Sequence, residues 1–242
     1  MKKILLILFL SIFIIGCSSI DLSTNSPSDI ETDRILALGL THSENLERAK
    51  KLSDPVMVNA VVKELNNRII EAESALLDAE NEVKYAAMVE VLNINSENTI
   101  NFTGPKIISQ KKFGLLVESD QHSYFLRGVK NIDTGFIQHH LRLSIKYTSE
   151  DRRNYNSAGF CSKWDGCGKL EQVDISIISL DASNCSSSSC EYREIIELDL
   201  SNDFLRNNME EGFSVRFNSK SLHKNKISIS SAYVKGYLNK AN

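Results

Sequence analysis

Apolar residues recur with helical spacing in the first part of the chain, between Val58 and Ala86. The spacing alternates between four and three residues, which is the a/d pattern of about four heptads. The positions in this seam are Val58, Val62, Leu65, Ile69, Ala72, Leu76, Ala79, Val83 and Ala86. Asp54-Pro55 precedes the seam, and a capping residue followed by proline is typical of a helix start. The pattern predicts a helix from 55 to about 92.

A shorter and less regular stripe precedes this helix, over residues 29–52. Gly39 lies inside this stripe and is expected to weaken or break the helix there. We expect an antiparallel hairpin in which 29–52 folds back on 55–92, because short connections usually give antiparallel neighbours. The alternative is a coiled coil with another chain. The second helix is longer than the first, so the β region or another chain must cover the rest of its seam.

Alternation with a period of two follows residue 99, and aromatic residues and glycines also become frequent there. Such alternation is typical of strands with one buried face. The strand candidates are Phe113–Glu118, His122–Leu126, Leu141–Tyr147, Val173–Leu180, Ile196–Leu200, Phe213–Phe217 and Ile227–Ile229. Two short helices are expected at Asp203–Glu210 and Ala232–Leu238.

These patterns together predict an α+β chain. An N-terminal helical hairpin or long heptad helix, residues 29–97, is followed by an antiparallel β-sandwich with two disulfides, residues 98–242.

The N-terminus has the composition of a secretory signal. Two lysines follow Met1, and an apolar run from Ile4 to Ile15 ends at Gly16-Cys17. The run is shorter than the roughly 20 residues that a bilayer span needs. The Gly-Cys junction after this run resembles the lipobox of bacterial lipoproteins.

That resemblance implies that residues 1–16 are removed and that Cys17 carries the lipid. Several acyl chains hold a protein on a membrane more stably than a single chain does. Ser18 follows the cysteine where lipoproteins retained in the inner membrane have Asp, so the resemblance favours the outer membrane. Residues 17–28 are rich in Ser, Thr and Asn and predict a flexible tether.

Four further cysteines lie after the signal, where the compartment oxidises thiols. We expect the pairs Cys161–Cys167 and Cys185–Cys190, because each brackets a short loop rich in Gly or Ser. Other pairings of four cysteines remain open. Their spacing is a poor match to the usual zinc pattern, so a metal site is not expected.

Composition and motifs exclude several functional classes. The net charge of -3 and pI near 6.0 give no basic surface for nucleic acid. Common catalytic and cofactor-binding motifs are missing, so we assign no catalytic residue and no cofactor. The adjacent residues His139 and His140 would point to opposite faces of a strand, and surface or half-buried roles are expected for both.

The segment 148–170 is long for a loop in a compact β domain, and long loops are often functional. It contains the candidate partner-binding residues Arg152, Arg153, Tyr155 and Trp164. An aromatic ring held by a disulfide beside cations could recognise a glycan, a peptide or a protein. The alternative is that Trp164 covers one end of the core.

The sequence therefore favours a non-enzymatic envelope lipoprotein that binds an envelope protein or glycan and is attached to the membrane through Cys17. Two other classes stay open. One is a hydrolase-like enzyme on the same β scaffold. The other is a subunit that assembles through the heptad helix.

Overall fold

The structure is a computed structural model that describes residues 26–94, 98–110, 120–161, 167 and 173–241. Cys17 and the signal peptide 1–16, most of the tether, the strand candidate 113–118 and Trp164 lie outside these residues. The helices are α1 Pro27–Leu36, α2 His42–Ala49, α3 Pro55–Ala87, α4 Asn202–Asn207 and α5 Ser231–Ala241. The strands are β1 Glu90–Ile94, β2 Thr99–Thr103, β3 Ile107–Gln110, β4 Gln121–Asn131, β5 Ile137–Ser149, β6 Tyr155–Cys161, β7 Ser176–Ser183, β8 Cys190–Leu200, β9 Phe213–Ser219 and β10 Lys224–Ile229.

The chain divides into two compact units, residues 1–74 and 75–242. In the first unit, the single helix predicted over 29–52 is replaced by α1 and α2. Gly39 lies between them with φ +64, a conformation that favours glycine and interrupts a helix. Ser26 and Thr41 each begin a helix with a capping box. The helix over 29–52 is therefore broken at Gly39, where the sequence led us to expect a break, and both of its pieces pack with α3.

A small core holds the first unit together. Its buried residues are Ile35 of α1, Ala49 of α2, and Val61 and Leu65 of α3. Arg68 of α3 adds ion pairs to Asp33 at 2.5 Å and to Glu64 at 2.9 Å. These pairs are partly exposed and contribute at most about 1 kcal/mol each.

The predicted long helix is confirmed as α3, although it ends at Ala87 rather than near 92. The next residues form β1, which pairs antiparallel with β2. The segment 90–94 reads Glu-Val-Leu-Asn-Ile, and such a short apolar run fits either a helix or a strand. Pairing with β2 decides in favour of the strand.

Within its described residues, the second unit contains two antiparallel sheets. The larger sheet has the order β1-β2-β4-β5-β8-β7, with β3 also paired to β4. The smaller sheet has the order β10-β9-β6. Helices together with antiparallel sheets confirm the predicted α+β class. Inward side chains from both sheets and from α5 form one hydrophobic core.

Helix α5 packs closely on the end of α3 within this unit. A Cβ on Gly236 would stand 2.7 Å from the backbone oxygen of Glu82 and 2.8 Å from the backbone nitrogen of Ala86. Tyr85 and Tyr233 add an edge-on ring contact at 5.1 Å. The absence of a side chain at Gly236 is what permits this approach.

Candidate functional site

The segment 148–170, which was expected to be a loop, contains strand β6 of the smaller sheet. Tyr155 is fully buried and Arg153 is 4% exposed, so neither can contact a partner. The structure thus corrects the predicted recognition tip for these two residues. Arg152 is partly exposed, with its guanidinium carbon 5.6 Å from the centre of the Tyr192 ring. Trp164 lies outside the described residues.

Arg153 is buried because its charge is neutralised inside the protein. Its guanidinium makes two hydrogen bonds to the Asp120 carboxylate, at 2.5 and 2.9 Å, and lies 4.1 Å from the centre of the Tyr147 ring. His122 Nε2 lies 3.9 Å from the same carboxylate. Burial favours the neutral acid, but contacts with His122 and Arg153 outweigh it and lower the pKa of Asp120 to about 2.

Glu194 of β8 is also fully buried, and its carboxylate accepts hydrogen bonds from the turn between β5 and β6. Its carboxylate accepts hydrogen bonds from the backbone N–H groups of Asn154 and Tyr155, both at 3.1 Å, and from the Tyr147 hydroxyl. Burial, with this hydrogen bond, raises the pKa of Tyr147. The turn carries the chain from the larger sheet into the smaller one, so Glu194 ties the two sheets together. These buried charges are engaged in structural contacts.

The structure forms both predicted disulfides, Cys161–Cys167 and Cys185–Cys190. The second closes the loop between β7 and β8, as the spacing predicted. His139 and His140 point to opposite faces of β5, also as predicted. His139 is nevertheless fully buried, with its Nδ1 2.9 Å from the Tyr237 hydroxyl, and burial lowers its pKa.

The larger sheet has an open face formed by side chains that point away from the core. In β4, β5 and β8 the inward positions are buried, whereas most of the positions between them are partly or fully exposed. Paired residues on neighbouring strands place their side chains on the same side of a sheet. The register therefore arranges the outward side chains in rows that run across the strands.

One of these rows has small side chains at its centre. Ser123 of β4 pairs with Ser144 of β5, and these serines are flanked by Ile108 of β3 and Ile195 of β8. A cavity of about 430 Å³ lies above this row. We call it the serine trough, and define it by Ser123 and Ser144 at its floor and by the charged residues that line it.

Charged residues of both signs line the serine trough. The cations are Lys106, Lys146 and Arg193, and the acids are Asp181 and Glu191. Lys146 pairs with Glu191 at 3.0 Å, and Arg193 Nε donates to the Ser144 hydroxyl at 3.1 Å. The trough thus presents hydroxyl groups between charges of both signs, an arrangement suited to a polar ligand with many hydrogen-bonding groups.

A larger cavity, of about 600 Å³, lies between the β4–β5 hairpin and α4. Its lining includes Phe136, which is 68% exposed, together with Asn202 and Arg206. Half of this lining comes from a turn and a six-residue helix, whereas all of the serine-trough lining except Lys106 lies on paired strands. Sites on regular elements hold their groups more accurately, so we favour the trough.

Sequence reasoning did not find the serine trough. The alternation in β4, β5 and β8 correctly separates outward from inward positions. The register between strands decides which outward residues become neighbours. The alternation within a single strand does not reveal that register. The pairing of Ser123 with Ser144 is therefore visible only in the fold.

Within the described residues, His, Cys, Asp and Glu form no cluster of three that could hold a metal ion. Each described helix is also too short or too polar to cross a membrane. No family model, no curated protein and no solved structure matches this chain.

Proposed function

We propose that this chain is a lipoprotein of the bacterial cell envelope, held in the outer membrane through lipid on Cys17, which binds the cell-wall glycan without catalysing a reaction. The observation that carries the binding role is the serine trough on the open face of the larger sheet. The sequence from Met1 to Ser18 supports the anchor and the location. The hydroxyl floor of the trough supports a glycan as the ligand.

The charges around the trough narrow the choice of glycan. Peptidoglycan carries hydroxyl, amide, carboxylate and ammonium groups along one polymer. The trough offers hydroxyls at Ser123 and Ser144 and charges of both signs around them. Charge-assisted hydrogen bonds are stronger than neutral ones, so a ligand with both charges gains most from this lining.

We also infer that the two sheets stack as a β-sandwich. Inward residues of both sheets, such as Leu143 of β5 and Phe217 of β9, belong to one core. Two antiparallel sheets that share a core usually pack face to face. The serine trough then lies on an outer face of the sandwich.

The test is co-sedimentation of the purified mature protein with peptidoglycan sacculi. Ser144→Trp fills the trough, and we expect it to weaken binding by about tenfold or more, equivalent to roughly 1.4 kcal/mol. Ser228→Trp is the matched control, because Ser228 is an exposed strand serine that pairs with Ser214 on the smaller sheet, as Ser144 pairs with Ser123 on the larger one.

Equal loss in both variants would contradict the trough as the binding site, and absence of binding by the wild type would contradict glycan recognition. Analysis of the supernatant after sedimentation distinguishes binding from hydrolysis. Soluble fragments released from the sacculi by the wild type would contradict the non-enzymatic role.

A further inference from the structure

The turn between β9 and β10 holds Leu222 in a backbone conformation that leucine rarely adopts. Its φ is +66°, and the residue is 85% exposed. The other described non-glycine residues with positive φ are Asn98, Asn154 and Asn184. Asparagine tolerates this region, whereas a bulky side chain is strained there. Leu222 therefore costs the fold stability and buries little apolar surface in return.

Hydrogen bonds fix the turn that carries Leu222. The Ser219 N–H donates to the backbone oxygen of His223 at 3.0 Å, and the His223 N–H donates to the Ser219 hydroxyl at 3.0 Å. The Ser221 hydroxyl donates to the backbone oxygen of Arg153 at 3.1 Å. Because Arg153 is buried, this bond ties the turn to the core. Strain that the surrounding contacts maintain in this way is typical of functional sites.

Basic residues surround Leu222. Lys220 and Lys224 lie two residues before and after it, and Lys226 follows on the outward side of β10. All three lysines are exposed, and we call them the hairpin lysines. The sequence has no Asp or Glu between positions 212 and 242. The β9–β10 hairpin is thus basic in a chain whose net charge is -3.

The hairpin contacts one segment that carries acids. The Lys220 N–H donates to the backbone oxygen of Asn154 at 3.1 Å, which brings the loop between β5 and β6 beside the turn. Residues 150–154 of this loop include two acids and two arginines. Because Asp120 neutralises Arg153, the loop has one net negative charge. The three hairpin lysines outweigh it, so this end of the β unit is positive.

These features suit the surface of an anionic membrane better than a protein. A stable protein interface needs a cluster of large side chains at its centre, and the turn offers a single leucine. A bilayer with anionic headgroups attracts lysines that lie near its surface. One apolar side chain among them can enter the boundary between headgroups and acyl chains.

We propose that the β9–β10 hairpin binds the surface of an anionic phospholipid membrane. Leu222 inserts between the headgroups, and the hairpin lysines lie beside the phosphates. The strained conformation presents the leucine at the tip of the turn. The serine trough lies on the larger sheet, so either proposal can fail without the other. The contact is also separate from lipid on Cys17, because it needs only the β unit.

The test uses the mature chain with Cys17→Ser, which cannot carry the lipid, and two kinds of vesicle. One contains phosphatidylglycerol and phosphatidylcholine in equal parts, and the other contains phosphatidylcholine alone. We expect binding to the anionic vesicles to be at least about tenfold tighter. Added salt should weaken this binding, because it screens exposed charges. Flotation of the vesicles measures the bound fraction.

Leu222→Asn separates membrane insertion from folding. Asparagine tolerates positive φ, so this variant should unfold at a higher temperature than the wild type. Loss of the apolar side chain should nevertheless weaken binding to the anionic vesicles by about tenfold. Phe136→Ser is the matched control, because Phe136 is 68% exposed in the turn between β4 and β5. This control should bind like the wild type.

A second pair of variants tests the charge. Lys220→Gln with Lys224→Gln removes two hairpin lysines and should weaken binding to the anionic vesicles by about tenfold or more. Lys106→Gln with Lys130→Gln removes the same charge elsewhere in the β unit and is the matched control. The control should keep the affinity of the wild type.

Four results would overturn the proposal. The first is equal binding of the wild type to the two kinds of vesicle. The second is equal loss of binding in a hairpin variant and its matched control. The third is a lower unfolding temperature of Leu222→Asn, which would remove the argument from strain. The fourth is absence of binding to either vesicle, which would leave the basic hairpin to an acidic protein.

Discussion

Arg153 and Asp120 form a bidentate ion pair inside the β unit, with side chains only 5% and 13% exposed. Removing one partner of a buried pair leaves an uncompensated charge. We expect Asp120→Asn to lower the free energy of unfolding by about 3–5 kcal/mol at neutral pH. Urea unfolding measures this change, and Asp181→Asn, on an exposed residue, is the control.

The same pair predicts a dependence on pH. The pKa of Asp120 is lowered to about 2 in the folded protein, so its stabilisation is present above the unfolded value near 4. The stabilisation is lost as the pH falls from about 4 to about 2. The difference between wild type and Asp120→Asn should therefore shrink over this range. A difference that stays constant would contradict the ion pair.

Glu194 is expected to be essential for the turn before β6. Glu194→Leu leaves the N–H groups of Asn154 and Tyr155 without their acceptor, and each unsatisfied buried group costs about 1–3 kcal/mol. We expect a total loss of about 3 kcal/mol or more in chemical unfolding. Glu191→Leu, three residues earlier on β8, removes a surface ion pair with Lys146 and a surface hydrogen bond from the Ser183 hydroxyl, and should cost less than about 1 kcal/mol.

Local sequence patterns were sufficient to predict part of the fold. Proline after aspartate and the heptad spacing predicted α3, and alternation predicted β5, β8, β9 and β10. The short cysteine loops predicted both disulfides. These features depend on residues close together in the sequence.

The features that we did not predict depend on contacts between residues that are far apart in the sequence. Strand β6 was missed because Arg153 and Arg152 precede it, and a charged start does not resemble a buried strand. Arg153 is buried only because Asp120, 33 residues earlier, neutralises it. The serine trough was missed for the same reason, since it depends on the register between β4 and β5.

The contact between α5 and α3 can be tested at Gly236. In an unconstrained helix, Gly→Ala stabilises by about 1 kcal/mol. Here the added Cβ would meet backbone atoms of Glu82 and Ala86, so we expect Gly236→Ala to destabilise by about 1–3 kcal/mol instead. Thermal unfolding shows whether the substitution stabilises or destabilises the protein. Lys235→Ala, which breaks one surface ion pair with Glu210, is the control.

The lipid anchor can be tested at Cys17. Cys17→Ser removes the sulfur that would carry the lipid, so the protein should leave the membrane fraction. Mass spectrometry of the wild type should find an acylated Cys17 at the new N-terminus. Wild-type protein without acyl mass would contradict the lipoprotein prediction, as would a variant that still fractionates with membranes.

The disulfide Cys185–Cys190 closes a short loop on the surface. In the chain-entropy model, a loop of this size contributes about 2 kcal/mol through the unfolded state. The double substitution Cys185→Ser with Cys190→Ser should lower the unfolding free energy by that amount and leave the fold intact. Ser186→Ala with Ser189→Ala, in the same loop, controls for changes to the loop itself.

The hydrogen bond from the Tyr155 amide to Glu194 spans 39 residues of sequence. A ribosome delivers the turn well before it delivers the acceptor. Until β8 arrives, two amide groups at the start of β6 lack their native partner. Long-range pairings of this kind slow folding. The β unit therefore cannot complete its fold before β8, β9 and β10 have been synthesised.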